Sequence, residues 1–402
     1  MANLNTTGKV AIIDGVRTPI GAIGGVLSSL SVKELGVTAC SALLKRTGVN
    51  PALIEYVSLG WVMQDPRFPN LAKLVAEFSG IPATTPGTTF HENCASGAAA
   101  VHDVARRILL DEIEIGIAGG VESMSNVPRY CYQGRLKGQM YGDFTLEDGI
   151  MSGLKDAFVG PKGEVMGLLT ERLVDKYKVT RQEQDEIALR SHLQALQAWE
   201  NGSCDGHVVT IELPDKKKGP TLVKKDETPR TITLEELAAQ RPYFKPDNGT
   251  ITSLNSSSIS DGAACLLLMS QNKATALGLK PIGYLHSFAN IGVPRELMGE
   301  GAFKVIPKLT TKAKIALREI DCFELNEAFA AVVGAAFHDL PELERDKVNQ
   351  WGSGIGLGHP VGCTGARQIV DMLHQLRRRN KHVGLTSRCV GGGMGSGEIV
   401  VV

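Results

Sequence analysis

His91-Glu-Asn-Cys-Ala-Ser-Gly97 and Gly358-His-Pro-Val-Gly-Cys-Thr-Gly365 are two Gly-rich turns, each placing a cysteine or histidine just before a run that reads as a long helix. The first run predicts a helix over 95–110 and the second a helix over 364–379. Around the first turn the chain reads strand (10–14), helix (31–46), strand (56–61) and, after the helix, strand (113–119). Around the second it reads strand (282–288), helix (304–317), strand (322–325), then strands at 383–387 and 398–402. Alternation of short apolar runs with helical periods predicts an α/β fold on a parallel sheet. The repeated order of elements predicts an internal duplication.

Between the halves the texture changes to aromatic and Gly-rich turns, an amphipathic helix over 181–200 and a charged stretch over 215–230. The expected division is therefore an N-terminal half (1–125 plus 254–275), an inserted loop domain (126–253) and a C-terminal half (276–402). Within the insertion, Lys216-Lys-Lys218 and Lys224-Lys225 are either a solvated face or a site for a phosphate-rich ligand. A chain of 402 residues, 43% apolar, buries a sizeable core. Lys plus Arg and Asp plus Glu both total 43, which argues against a nucleic-acid binder or a membrane-surface protein. The longest apolar run, 263–269, is far too short for a membrane span, and the N-terminus lacks a signal-peptide pattern; a soluble, cytoplasmic protein is expected. The eight cysteines are scattered without a CxxC pair, so no metal site and reduced thiols are expected.

Chemistry is expected in four segments. Cys94 precedes a helix, whose free amides and dipole favour a thiolate and so a lowered pKa; a small buried hydrophobe is the alternative. His359 stands in a Gly/Pro turn that fixes its backbone, and packing of the two halves about a pseudo-twofold axis would bring it to Cys94 as base. Cys389-Val-Gly-Gly-Gly-Met-Gly-Ser-Gly397 lets amides point at an oxyanion and offers a second thiol as acid/base, unless it is an ordinary hairpin turn. Asn326-Glu-Ala-Phe-Ala330 follows the 322–325 strand, where active sites gather; Asn326 either holds a substrate oxygen or water, or caps the next helix.

With these segments the chain resembles the thiolase family of acetyl-CoA acetyltransferases and 3-ketoacyl-CoA thiolases, over nearly its whole length. The matching pieces are Arg17-Thr-Pro-Ile-Gly21, Asn93-Cys-Ala-Ser-Gly97, Gly119-Gly-Val-Glu-Ser-Met-Ser125, Met166-Gly167, the 255–263 segment, Asn326 to Ala330, Gly358-His-Pro360 with Gly365-Ala-Arg367, and Cys389 to Gly395. The resemblance implies duplicated halves layered α-β-α-β-α with an inserted loop domain. It implies Cys94 as the acylated nucleophile, His359 as its base and Cys389 as the acid/base. It also implies one oxyanion hole from His359 with an Asn326-held water, and a second from the amides of Cys94 and Gly391. For acyl-CoA it implies contacts at Arg230, Ser257, Val165, Met166, Phe329 and Met298. Coenzyme A enters as substrate, no cofactor is tightly bound, and a homodimer or homotetramer is implied. Two positions depart from the pattern: Val165 where acetoacetyl-CoA enzymes usually carry histidine, which hints at a longer acyl chain, and Ala22 where the family often has lysine.

Three other readings compete. A catalytically silent acyl-CoA or lipid-binding protein would lack a reactive residue, yet Cys94, Asn326, His359 and Cys389 are all present. A decarboxylating condensing enzyme has no use for Cys389 in its Gly-rich turn. A Cys-His hydrolase needs a base for water that the sequence does not offer.

Overall fold

The structure is a computed structural model, and it describes residues 10–132, 143, 145–214 and 219–402, so Lys216-Lys-Lys218 lie outside the described residues. The N-terminal half supplies β1 (Val10–Arg17), β2 (Tyr56–Gly60), β3 (Gly87–Phe90), β4 (Ile115–Ser123) and β5 (Ser260–Ser270). The C-terminal half supplies β6 (Gly283–Gly292), β7 (Cys322–Leu325), β8 (Val383–Val390) and β9 (Met394–Val401). The main helices are α1 (Val32–Thr47), α2 (Leu71–Phe78), α3 (Ser96–Leu109), α4 (Met166–Tyr177), α5 (Arg181–Glu200), α6 (Gly301–Ala313), α7 (Ala330–Asp339) and α8 (Val361–Arg378).

The strands run β3-β2-β4-β5-β1, then β6-β9-β8-β7. The two halves therefore repeat one order, mirrored across a seam where Val10 pairs with Leu285 and Ile12 with Gly283. The sheet is mixed rather than parallel. β2 runs parallel to β3 and β4, and β7 parallel to β8. The pairings of β5 with β1 and β4, of β1 with β6, and of β9 with β6 and β8 are antiparallel. Connection length is the cause: β8 and β9 are joined through Gly391-Gly392-Gly393, a tight turn that admits only an antiparallel pair, whereas parallel neighbours need a crossover.

Period-two burial then builds layers. Along β5, Ala264, Leu266 and Leu268 share a core with Val101 and Ile108 of α3 and Ile369 and Leu373 of α8. The alternate residues Cys265, Leu267 and Met269 share another with Leu35 of α1 and Val75 of α2. On the far side, Phe323, Leu385 and Ile399 pack on Phe303 of α6 and Val332 of α7. Because successive side chains point to opposite faces, each half-sheet is covered on both sides, with α3 and α8 as the shared middle layer. The result is the α-β-α-β-α stack. Expected ends shift by a few residues; α2, β3, α4 and β5 had no counterpart among the expected elements, the first two being short with weak turn signals, and the 263–269 run, taken only as too short for a membrane span, is the core of β5.

The middle layer is drawn tight by small residues. A Cβ added to Gly97 would lie 2.8 Å from the Ala366 amide nitrogen, and one added to Gly365 would lie 2.6 Å from that of Ala98. No side chain fits at either crossing point, so the starts of α3 and α8 touch through backbone. Gly365→Ala is expected to destabilise the protein by about 1–3 kcal/mol through overpacking. A lower urea midpoint at unchanged slope is the expected reading; an unchanged midpoint would show that the crossing relaxes freely.

Candidate active site

Cys94 sits in a single 3-10 turn, Asn93–Ala95, that runs straight into α3. Asn93 takes a left-handed backbone (φ 45°), a region asparagine tolerates better than most residues. Its side-chain amide donates to the Gly391 carbonyl (2.8 Å), and its own carbonyl accepts from Ser96 Oγ (2.7 Å). The Cys94 turn is thereby tied to the β8–β9 turn. The backbone amides of Cys94 and Gly391 both pull the Cys94 thiol toward its charged form.

His359 lies between Gly358, which needs its positive φ of 100°, and the start of α8. Its Nε2 is 3.2 Å from Cys94 Sγ, although the two residues are 265 positions apart. The tautomer follows from its other nitrogen. Thr364 donates its hydroxyl to the Pro360 carbonyl (3.0 Å), so its oxygen is left to accept from His359 Nδ1–H at 2.6 Å. Nε2 then carries the lone pair and faces the thiol. The Asn326 amide donates to the same Nε2 at 3.4 Å, and Asn326 Oδ1 is buried without a partner among the described residues. Asn326 is not a helix cap, since the residue capping α7 is Phe329.

Burial sets the resting charges. It pushes the Cys94 thiol up to about 11, against the downward pull of the two amides and of Arg388. It pulls His359 down to about 3, with the Arg367 guanidinium adding to the effect. The lowered thiol expected from the helix dipole is thus corrected: desolvation outweighs the dipole, and the pair rests as neutral thiol and neutral imidazole. Cys389, at the end of β8 and 1% exposed, is pushed higher still by burial and by Cys94. Behind the site, the buried Glu122 accepts from the amides of Val62 and Met63 (both 3.1 Å) and Gly362 (2.9 Å). Burial raises it to about 7, the amides opposing.

One cavity of about 310 Å³ gathers these groups, lined by Cys94, His359, Cys389 and Gly391 together with Val165, Met166, Ser257, Met298 and Phe329. Apart from a run of serines and a few polar groups the lining is apolar, with Met124, Met151, Leu154, Phe244 and Ile259 completing it. Arg230 does not line the cavity; it is exposed on the insertion. Two residues given no role by the sequence motifs matter here: Thr364, which orients His359, and Asn93, which links the turns. The signals were a hydroxyl one helical turn after the histidine and an asparagine in a tight turn, both too common to single out. Among the described residues no group of three or more His, Cys, Asp or Glu could hold a metal ion. Nor is any described helix long and apolar enough to cross a membrane.

Comparison with known proteins gives consistent matches. The family description "Thiolase, N-terminal domain" fits residues 10–272, and "Thiolase, C-terminal domain" fits residues 279–402. A probable acetyl-CoA acyltransferase of Staphylococcus epidermidis is 40% identical over 395 residues, 98% of each chain. One from Staphylococcus aureus is 38% identical over 393 residues, again 98% of each. Among solved structures, the acetyl-CoA acetyltransferase of Bacillus anthracis superposes with a TM-score of 0.94 at 40% identity, covering 99% of both chains. Human mitochondrial 3-ketoacyl-CoA thiolase superposes with a TM-score of 0.93 at 32% identity, covering 98% of both.

A thiol near 11 leaves on the order of one thiolate in ten thousand at pH 7. Iodoacetamide alkylation of Cys94 in the free enzyme should therefore accelerate about tenfold per pH unit through pH 9. A plateau below pH 8 would instead reveal a preformed thiolate–imidazolium pair.

Proposed function

Because this chain belongs to the thiolase family, we propose that it moves acyl groups between Cys94 and coenzyme A, with Cys389 as the acid/base partner. The observation that carries these roles is the contact of Cys94 Sγ with the lone-pair nitrogen of His359 in a cavity shared with Cys389. Coenzyme A is a substrate in this reading, and no tightly bound cofactor takes part.

In the cleaving direction, His359 Nε2 takes the Cys94 proton as sulfur attacks the 3-keto carbon of a 3-ketoacyl-CoA. The resulting oxyanion meets the amides of Cys94 and Gly391, donors that need no rearrangement. The bond between carbons 2 and 3 then breaks and its electron pair enters the thioester enolate. That enolate is held by His359, now protonated, and by a water on Asn326, whose unpartnered Oδ1 supports the role. Cys389 gives carbon 2 a proton and acetyl-CoA leaves. The Cys389 thiolate takes the proton of an incoming CoA thiol, whose sulfur attacks the acyl-Cys94; Cys94 leaves as a thiolate and recovers its proton from His359, restoring the free enzyme. Condensation is the reverse. Burial suits Cys389 to this work, since a thiol held well above its ordinary range keeps its proton until a carbanion takes it.

The apolar lining and Val165 favour 3-ketoacyl chains longer than acetoacetyl. Residues 126–253, which contribute Val165, Met166 and Phe244, are read as the cover over the acyl-CoA, with Arg230 meeting the nucleotide end and Ser257 the pantetheine arm. A cytoplasmic homodimer or homotetramer completes the reading. No observation favours a silent binding protein, because each reacting group has the partner its step requires.

Intact-mass analysis after acetyl-CoA should show an acetyl group on the wild type, none on Cys94→Ser, and one on Cys389→Ala, whose condensation activity falls at least a hundredfold. Normal condensation by Cys389→Ala would remove Cys389 from the mechanism. Across 3-ketoacyl-CoAs of increasing length, kcat/KM should peak above the four-carbon substrate, and Val165→His should shift the peak toward it. A four-carbon optimum unmoved by that substitution would end the chain-length assignment.

A further inference from the structure

The segment Asp226-Glu-Thr-Pro-Arg230 is bound to the N-terminal half by an arrangement that the acyl-transfer chemistry does not use. Arg17, 1% exposed, grips Asp226 with two bonds, Nη1 to Oδ1 at 2.7 Å and Nη2 to Oδ2 at 3.0 Å. Its Nε donates to Asp371 of α8 (2.8 Å). The Ile20 amide and Trp199 Nε1 complete the shell of Asp226 at 2.8 and 3.1 Å. One residue on, Glu227 donates its amide to the Ile20 carbonyl and accepts the amides of Ala22 (2.9 Å) and Val26 (3.0 Å) on a single carboxylate oxygen. The turn closes so tightly on that carboxylate that a Cβ on Gly25 would lie 2.2 Å from it. Among the described residues Glu227 has no ion-pair partner, so backbone dipoles alone hold it.

Beyond Arg230 the chain is pinned again, since Ile232 packs with Leu237, Ala330 and Ile355 and with Leu254, next to the cavity-lining Ser253. The exposed Arg230 is thus suspended between a polar anchor and an apolar one. We propose that the clamp of Glu227 on the turn over residues 22–26 is a positioning device for the nucleotide end of coenzyme A, acting through Arg230. This rests on the reading of Arg230 given above. It also accounts for the departure at position 22: what the clamp needs from that residue is its backbone amide, which Ala22 supplies. Preorganising a surface arginine lowers the ordering cost of binding, so the effect belongs in affinity for the nucleotide-bearing substrate and not in the chemical step.

The test compares a 3-ketoacyl thioester of CoA with the same thioester of pantetheine, each with its matching thiol as acceptor. Glu227 is exposed and outside the cavity, so Glu227→Ala should fold and keep its kcat/KM on pantetheine substrates, while KM for the CoA pair rises roughly fivefold, the scale of one lost hydrogen bond. Glu227→Gln, which keeps an acceptor oxygen, should recover most of that loss. Arg230→Ala should raise KM for the CoA pair more, and adding Glu227→Ala to it should cost nothing further. Equal losses on both thioester series, or additive losses in the double variant, would overturn the clamp. Arg230→Ala with an unchanged preference for CoA over pantetheine would overturn the reading of Arg230 beneath it, and a wild-type Glu227→Ala beside a defective Arg230→Ala would remove the clamp alone.

Discussion

The backbone contact between the starts of α3 and α8 governs the rest of this protein. Gly97 and Gly365 leave no room for a side chain between the two helices, and each helix is preceded by one half of the reactive pair. Bringing the helices to backbone contact therefore brings Cys94 and His359 to 3.2 Å. The two half-sheets are the jaws that hold this contact closed, since the residues packing onto α3 and α8 come from strands of both halves.

The same closeness explains the electrostatics. A pair drawn into the middle of a layered structure loses water, and desolvation moves a thiol up and an imidazole down. Both groups rest neutral, and in the proposed reaction charge appears only when sulfur attacks, at the point assigned to the amides of Cys94 and Gly391. Electrostatic help of this kind costs no reorganisation, because the donors are backbone groups fixed by Asn93 and the glycine turn. The two thiols differ by their neighbours. Cys94 has a base and amides; Cys389 has burial and a nearby sulfur, which suit it to hold a proton rather than to attack.

Polar anchoring takes over where the sheet ends. The 126–253 segment contributes cavity-lining residues through α4 and reaches the N-terminal half through Asp226 on Arg17, which in turn donates to Asp371 of α8 in the C-terminal half. Arg17 and Asp226 are almost wholly buried, and each carries several bonds, as burying a charge requires. A segment held this way keeps a defined position relative to both halves of the sheet.

How much of this was legible in the sequence follows from the range of each interaction. β7 runs over Cys322–Leu325 as expected, and the starts of α3 and α8 fall at the two Gly-rich turns, because apolar period and turn chemistry act within a few residues. The repeat and the family pattern were legible for the same reason, and the segments singled out there bring Cys94, His359 and Cys389 to one cavity. Neither β5 itself nor the direction of β9 was legible, since pairing partners are chosen by connections and by faces that meet only after folding. Nor were the raised thiol and lowered imidazole: a local dipole is written in the sequence, but desolvation is a property of what surrounds the site. The sequence by itself determined which groups could react and where the chain turns to present them. Tertiary structure alone decided their charges and the clamp on Arg230, because each depends on groups brought together from hundreds of residues apart, whereas the His359 tautomer is set locally by Thr364, five residues on.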